Sequence, residues 1–420
     1  MADKRPMKVY RVGGSVRDEL LGRPVADRDW VVVGATPQAL VDLGYRPVGR
    51  DFPVFLHPES NEEYALARTE RKRGTGYRGF AIDASPEVTL EEDLRRRDLT
   101  INAMAREADG KLIDPFGGAT DLAAGVLRHV SDAFAEDPLR VLRVARFAAR
   151  YGFGVAPETE ALLRRLAASG ELATLSPERV WQELSRGLME SRPSRMLGVL
   201  RECGALAVLL PEVDALYGVP LAVQARPEQD AGVHVARALD YAAQRECPLA
   251  VRYAVLAHGL GNGGTDASSW PIRKASAARN VRLADKMSRR LKVPAECRDA
   301  ARLAGRWYGA VDAAQTLSPA KLLELFAQCD AYRRPERLDT LIATCECVAL
   351  PQSDYAPRAI LRDAFAVVRA VRLSEIARTA AEGGEQSGDD IAAAIRAARL
   401  GALRAVRKAR PPAGFRGPGS

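Results

Sequence analysis

Histidine is scarce in this chain, with four residues in 420. Cysteine is little better represented. The six cysteines (203, 247, 297, 329, 345 and 347) form no Cys-x-x-Cys pair, so neither a zinc ribbon nor a thioredoxin-like dithiol is expected. Cys345-x-Cys347 reads as two helix residues, and reduced thiols fit a cytoplasmic setting. No run of 18 apolar residues occurs, so no membrane span is expected. The opening Met1-Ala2-Asp3-Lys4-Arg5-Pro6 lacks the apolar core of a signal peptide. What is present is enough chain for two to four domains and a net charge of +8, which fits an anionic partner.

The stretch from Val12 to Val33 organises the rest. It reads Val12-Gly13-Gly14-Ser15-Val16-Arg17-Asp18-Glu19-Leu20-Leu21-Gly22, then Asp27-Arg28-Asp29-Trp30-Val31-Val32-Val33. The pattern predicts a strand over 9–12, a helix over 15–21 and a second strand over 29–33. A Gly-Gly pair at a strand-to-helix turn lets backbone N–H groups approach a phosphate, and a helix N-terminus favours an anion. Arg17 could add a bidentate phosphate contact. Asp27 and Asp29 are two apart, so on an extended segment both leave one face. Paired carboxylates beside a phosphate cradle suit Mg²⁺ and a phosphoryl or nucleotidyl transfer. Taken singly, each feature also fits a plain turn or a solvated strand edge.

Their joint order is more specific. Gly-Gly-x-Val-Arg-Asp-x-Leu-Leu-Gly followed by Asp-x-Asp resembles the polymerase-beta-like nucleotidyltransferases, in the class II branch that holds bacterial CCA-adding enzymes and poly(A) polymerases. Further on, Asp51 to Leu56 and Glu63 to Ala67 read as strands, and Glu63 is a candidate third carboxylate or an exposed strand acid. Residues 68–79 are basic and glycine-rich, which suggests a mobile loop that meets phosphates or is merely solvated. Leu90 to Asp98 reads as a helix. Arg97 either reaches a triphosphate or pairs with Asp98. Arg96-Arg97-Asp98-Leu99-Thr100-Ile101-Asn102-Ala103 resembles the family's second signature, which implies that Arg97 contacts the nucleotide and that Asp98 and Asn102 help hold its ribose. Asp114-Pro115-Phe116-Gly117-Gly118 is a turn, and the resemblance makes it a hinge.

From about residue 133 the pattern turns all-helical. Asp137 followed by Pro138 is an N-cap with proline at the first helical position. Arg140, Arg143 and Arg146 recur every three residues, which also fits a solvated stripe. Cytosine and adenine both present an exocyclic amine beside a ring-nitrogen acceptor. An Asp acceptor and an Arg donor three apart on one helix could pair with that edge. Glu136-Asp137-x-x-Arg140 resembles the family's protein template for CTP and ATP, which implies that Asp137 and Arg140 read the base, with Arg143 and Arg146 along the same nucleotide-binding face. Ser176-Pro177-Glu178-Arg179 opens a helix that would buttress it.

Residues 221–385 read as helical, and in proteobacterial relatives this region is an HD-type metal-dependent phosphohydrolase. Here the pattern is eroded. His234 remains, but Ala257-His258-Gly259-Leu260-Gly261 has glycine where the metal-binding Asp belongs, and Trp270-Pro271-Ile272-Arg273-Lys274-Ala275 has no histidine. Two histidines cannot furnish such a ligand set. Residues 381–388 read as a linker and Ile391 to Arg410 as an Ala-rich helix. From 391 onward there are seven basic residues and no acid, which makes either a tRNA contact or a solvated tail. The last ten residues are expected to be disordered.

The expectation is an α+β fold. It comprises a nucleotidyltransferase head with a mixed sheet (1–132), a helical neck carrying the base template (133–220), a degenerate HD-like body (221–385) and a basic tail (386–420). The resemblance implies Mg²⁺ on Asp27 and Asp29, and nucleotide binding by Gly14, Arg17, Arg97, Asp137, Arg140, Arg143 and Arg146. It also implies addition of C, C and A to tRNA from CTP and ATP by a cytoplasmic monomer or weak homodimer with no membrane partner. A poly(A) polymerase, an enzyme adding only CC or only A, and a silent RNA-binding protein remain alternatives.

Overall fold

The computed structural model describes residues 6–25, 27–48, 54–72, 80–221, 230–266, 268, 276–351, 353–375, 378 and 388–409. The chain forms two compact units, 1–214 and 215–420.

The first unit opens with β1 (Lys8–Val12), α1 (Gly14–Leu20), β2 (Asp29–Val33), α2 (Pro37–Asp42), β3 (Arg46–Pro47), β4 (Val54–Leu56) and β5 (Glu63–Leu66). A hairpin of β6 (Thr69–Lys72) and β7 (Phe80–Asp83) follows, then α3 (Leu90–Arg95), β8 (Ala105–Arg106), β9 (Leu112–Ile113), α4 (Gly118–Ala124) and β10 (Val126–Leu127). Seven strands make one mixed sheet in the order β3-β4-β5-β2-β1-β8-β9. β2 lies antiparallel to β1 and parallel to β5, with Asp29 opposite Val12 on one side and Glu63 on the other. The apolar run of β2 has a simple cause: the sheet is covered on both faces. Val31 packs with Tyr10, Val12, Leu94 and Ala105, while Val32 packs with Leu40, Phe55, Tyr64 and Leu66.

Several expectations need correcting here. The expected strand over 51–56 is seen as Val54–Leu56, and 51–53 lie outside the described residues, as do 73–79 of the basic loop. Within that loop, Thr69–Lys72 is a strand paired with β7. The helix expected to reach Asp98 ends at Arg95. A reciprocal Thr89–Glu92 capping box starts it, and Leu99, extended and bridged to His129, stops it. The Asp114–Gly118 turn is present as expected, with the Asp114 carboxylate accepting from the Gly118 and Ala119 N–H groups. A side chain at Gly118 would meet the Thr100 carbonyl oxygen at 2.2 Å, so α4 can approach that segment only with glycine there.

The helical part of this unit holds α5 (Leu139–Tyr151), α6 (Pro157–Ala168), α7 (Pro177–Met189), α8 (Pro193–Glu202), α9 (Ala205–Leu209) and α10 (Pro211–Asp214). It is not wholly helical, because β11 (Gly154–Val155) pairs in parallel with β10. α5 packs on α7 and α8 through Val141, Leu142, Val144, Ala145 and Ala148. Ser176 caps α7 ahead of Pro177, as its sequence predicts.

The second unit is helical among the described residues: α11 (Ala231–Gln244), α12 (Leu249–Ala257), α13 (Ala277–Arg290), α14 (Ala295–Asp312), α15 (Pro319–Gln328), α16 (Glu336–Ala349), α17 (Ala356–Arg369) and a last helix, Gly388–Ala409. α12 is buried along most of its length and packs against α11, α14 and α16. The last helix lies on α15 and α17, with Leu403 buried and Arg399 3.7 Å from the Tyr332 ring centre. Residues 381–387 and 410–420 lie outside the described residues.

Candidate active site

The turn after β1 is made by Gly13, whose φ of 67° belongs to the left-handed region that glycine tolerates. A Cβ there would stand 2.8 Å from Arg97 Nη1. Gly13 N–H is taken by the Met104 carbonyl at 3.1 Å, so the Gly-Gly pair offers fewer free N–H groups than the turn alone implies. Asp29 starts β2 directly across from Val12, and is therefore beside this turn.

Both face a groove of about 550 Å³ lined by Gly13, Gly14, Arg17, Asp29, Arg97, Asn102, Asp137, Arg140, Arg143 and Arg146 among others. Nine arginines and three aspartates line it, a strong positive excess suited to a triphosphate. All the sequence-predicted nucleotide-binding residues thus meet at one place. Asp27 does not line the groove. It is exposed in the coil just before β2. Its charge still reaches Asp29, whose carboxyl is raised above its ordinary value by desolvation, with Arg97 opposing and Asp27 adding to the rise. A like charge beside Asp29 is relieved by a divalent cation, and Mg²⁺ commonly takes one or two carboxylates plus substrate oxygens, so the pair fits that ion. Glu63 is in register with Asp29 but does not line the groove, and no set of three acids, histidines or cysteines near enough to share an ion occurs among the described residues.

The arginines are not equivalent. Arg17 is buried and committed. Nε donates to Asp18 at 2.9 Å, Nη1 donates to the Asn102 side chain, and the guanidinium lies over Phe147 and Tyr151. It anchors the glycine turn more than it offers free charge. Arg97 does not pair with Asp98. Its partner is Asp93, at 3.1 Å. Asp98 is buried, and accepts from Leu99 N–H at 2.8 Å, from Asn102 Nδ2 at 2.9 Å and from Arg143 at 2.7 Å. Burial alone would raise its carboxyl; Arg143, the Asn102 hydrogen bond and Arg140 outweigh that and hold it well below the usual carboxylate range. Arg146 is buried against Glu183 at 2.7 Å and stands 4.6 Å from the Phe147 ring centre. The three-residue arginine spacing is therefore a groove wall, with Arg143 and Arg146 on acid partners, not a solvated stripe.

Asp137 is held at both oxygens. Oδ1 accepts from Leu139 N–H at 3.1 Å and Oδ2 from Arg179 at 2.9 Å. A carboxylate has about four acceptor sites, so capacity remains for a base. Arg140 donates to the carbonyls of Ala133 at 2.9 Å and Arg96 at 2.6 Å, which fixes its plane. Arg68, Arg96, Arg150 and Arg179 line the groove too; Arg68 opens the basic segment expected to meet phosphates, while sequence reasoning gave Arg96, Arg150 and Arg179 no contact there. Arg150 extends the 140–143–146 series by one helical turn, the signal that could have found it.

Because the folded-state value of Asp98 is depressed, its contribution to stability is full above about pH 4 and is lost as pH falls below that. Asp93, buried and held down by Arg96 and Arg97 against its own burial, has the same sign. Asp98→Asn should cost about 2 kcal/mol at neutral pH, less than for a fully enclosed pair because Arg143 keeps one side open to water. The variant's urea midpoint should also fall less between pH 5 and pH 3 than the parent's. Parallel declines would contradict this.

Comparison with known proteins agrees with this geometry. Residues 9–128 match the poly A polymerase head domain, and 152–217 match the probable RNA and SrmB-binding site of polymerase A. The multifunctional CCA protein of Pseudomonas aeruginosa PAO1 is 54% identical over 412 residues, covering 96% of this chain and 99% of its own length. The chain belongs to the bacterial CCA-adding enzyme family. The Nitrosomonas europaea multifunctional CCA protein is 58% identical over 339 residues, 81% of this chain and 82% of its own. The fold of this CCA-adding family member also matches the Bacillus stearothermophilus CCA-adding enzyme in complex with CTP. That match has a TM-score of 0.64 at 24% identity and covers 95% of this chain and 89% of that one.

Two histidines of the second unit are also placed. His234 on α11 and His258 after α12 are both buried, with ring centres 6.4 Å apart. His258 Nδ1 lies 2.7 Å from the Val255 carbonyl oxygen, and Asn262 stands where a Cβ on Gly259 would point. Residues 269–275, which include the Trp-Pro segment, lie outside the described residues. In the same unit, Cys247 and Cys347 are buried free thiols with sulfurs 3.8 Å apart.

Proposed function

We propose that this chain adds C, C and A, in that order and without a nucleic-acid template, to the 3′ end of tRNA, using CTP and ATP and releasing pyrophosphate. The observation that carries the reading is Asp29 at the strand end beside the Gly13–Gly14 turn, facing an arginine-lined groove. Asp27 and Asp29 would hold Mg²⁺, which supplies Lewis acidity at the attacked phosphate and at the attacking 3′-hydroxyl. The arginine wall neutralises the triphosphate. The Asp98–Asn102–Arg17 chain of hydrogen bonds fixes the floor on which a ribose would rest. Asp137 and Arg140 present an acceptor and a donor to the base edge. Phe147, flanked by the guanidiniums of Arg17, Arg143 and Arg146, lines the same groove.

Purified protein, tRNA lacking its 3′ terminus, and CTP and ATP given separately and together test this. CTP alone should add two residues and both nucleotides three. A long ATP-only extension would instead indicate a poly(A) polymerase, addition of only CC or only A a partial enzyme, and no extension a silent RNA-binding protein.

We also infer that the 221–385 region has lost phosphohydrolase activity. His234 and His258 stand without a third ligand among the described residues, and glycine replaces the expected aspartate. Hydrolysis of a 2′,3′-cyclic phosphate by the full chain with added divalent metal would contradict this. Action in the cytoplasm, as a monomer or weak homodimer, completes the reading. No helix among the described residues is long and apolar enough to cross a membrane, and six buried free thiols fit a reducing compartment.

A further inference from the structure

The second unit carries its own concavity with an excess of positive charge, lined by neither His234 nor His258. α13 and α14 pack side by side, and with α16 they enclose a groove of about 640 Å³. Arg282 of α13, Arg302 and Arg306 of α14 and Arg337 of α16 line it, with Asp299 as the one acid. The four-residue spacing of 302 and 306 puts both on one helix face. Two of these guanidiniums have acid partners: Arg337 pairs with Asp299 at 3.4 Å and Arg306 with Glu324 at 3.4 Å. Arg282 and Arg302 are exposed and have no acid partner among the described residues. One turn earlier on α14, Arg298 buries its Nε without a hydrogen-bond partner. Four guanidiniums converging on one trough repel one another, and an anion in the trough relieves that repulsion.

The ligand's chemistry follows from what lines the groove. Guanidinium matches phosphate oxygens in a planar, two-point fashion. No aromatic side chain lines the groove, so it has no platform on which a base could stack. Phosphate is thus gripped without any reading of the base, which is how a protein holds a nucleic-acid backbone. We propose that this groove is a second RNA contact that grips backbone phosphates of the tRNA, independently of sequence. This rests on tRNA being the substrate, as argued above.

The test is the full-length Arg282→Glu/Arg302→Glu variant, with Arg282→Gln/Arg302→Gln as a milder companion that removes charge without reversing it. Steady-state CMP incorporation into tRNA lacking its 3′ end is measured at several salt concentrations. The expected result is a KM for tRNA raised roughly tenfold in the Glu pair and less in the Gln pair. The KM for CTP and kcat should stay unchanged, and the salt dependence of the tRNA KM should become shallower. A tRNA KM within about twofold of the parent overturns the proposal, as does a CTP KM that rises in step, since the groove lies outside the nucleotide site. Binding of ADP or inorganic pyrophosphate lost in the variants, with the tRNA KM unmoved, would make this a small-anion site and overturn it too. If the parent protein extends no tRNA, the function itself falls, and this proposal with it.

Discussion

Asp29→Ala abolishes CMP and AMP incorporation, with a loss of at least about 10³-fold in rate, while the folded state keeps its stability to within about 0.5 kcal/mol. The two halves of that expectation have separate causes. Asp29 is exposed at the first position of β2, where the strand is held by main-chain pairing to Val12 and by Val31 and Val32 further in. Its side chain contributes nothing to either core cluster. Its carboxyl is raised by desolvation and by Asp27, so its removal relieves a strain in the folded chain. The catalytic cost is large because no other acid among the described residues can replace it. Asp98 is bound by Arg143 and Asn102, Asp137 by Arg179, and Glu63 does not line the groove. Glu63→Ala should accordingly change the rate by only a few fold. Single-turnover incorporation with labelled CTP, set beside urea denaturation of the same preparations, separates loss of chemistry from loss of fold. A near-normal rate for Asp29→Ala would remove the acid from the mechanism.

The turn from β1 into α1 and on to β2 was legible because its determinants are local. The apolar run Val9–Val12, the Gly-Gly break and the apolar run of β2 lie within about thirty residues, and each narrows the same answer. The partners of the charged groups were not legible. Arg17 reaches Asn102, 85 positions away, and Tyr151 reaches Asp18 across 133. Nothing in a period of 2 or 3.6 encodes such pairings. Short elements escaped for a related reason: β10 and β11 are two residues each and exist only because they meet. The α3 helix was read too long because Arg95, Arg96, Arg97 and Asp98 are all acceptable in a helix. The extended Leu99, bridged to His129 thirty residues on, stops it, and Asp98 beside it is buried under Arg143. Asp98 lines the groove, where the resemblance placed it, and is not paired with Arg97 as the alternative reading had it.

Asp137→Ala is expected to reduce kcat/KM for both CTP and ATP by about 10- to 100-fold and to narrow the gap to UTP and GTP by a similar factor. The reasoning concerns unmade bonds. Each hydrogen bond between a fixed side chain and the wrong base edge leaves a desolvated donor or acceptor, at about 1–3 kcal/mol. That selectivity requires the side chain to be held before the nucleotide arrives, and Asp137 is so held by Leu139 N–H and Arg179. Arg179→Ala should therefore shift selectivity in the same direction by a smaller factor, although Arg179 need not touch the base itself. Arg140→Ala combines both kinds of loss, since that guanidinium also ties the carbonyls of Ala133 and Arg96 together. Its effect should appear as reduced stability as well as reduced selectivity. Kinetics with each of the four nucleotides, for the parent and the three variants, distinguish these cases. If Asp137→Ala slows all four equally, the residue supports the helix start, and base choice lies with other groups in the groove.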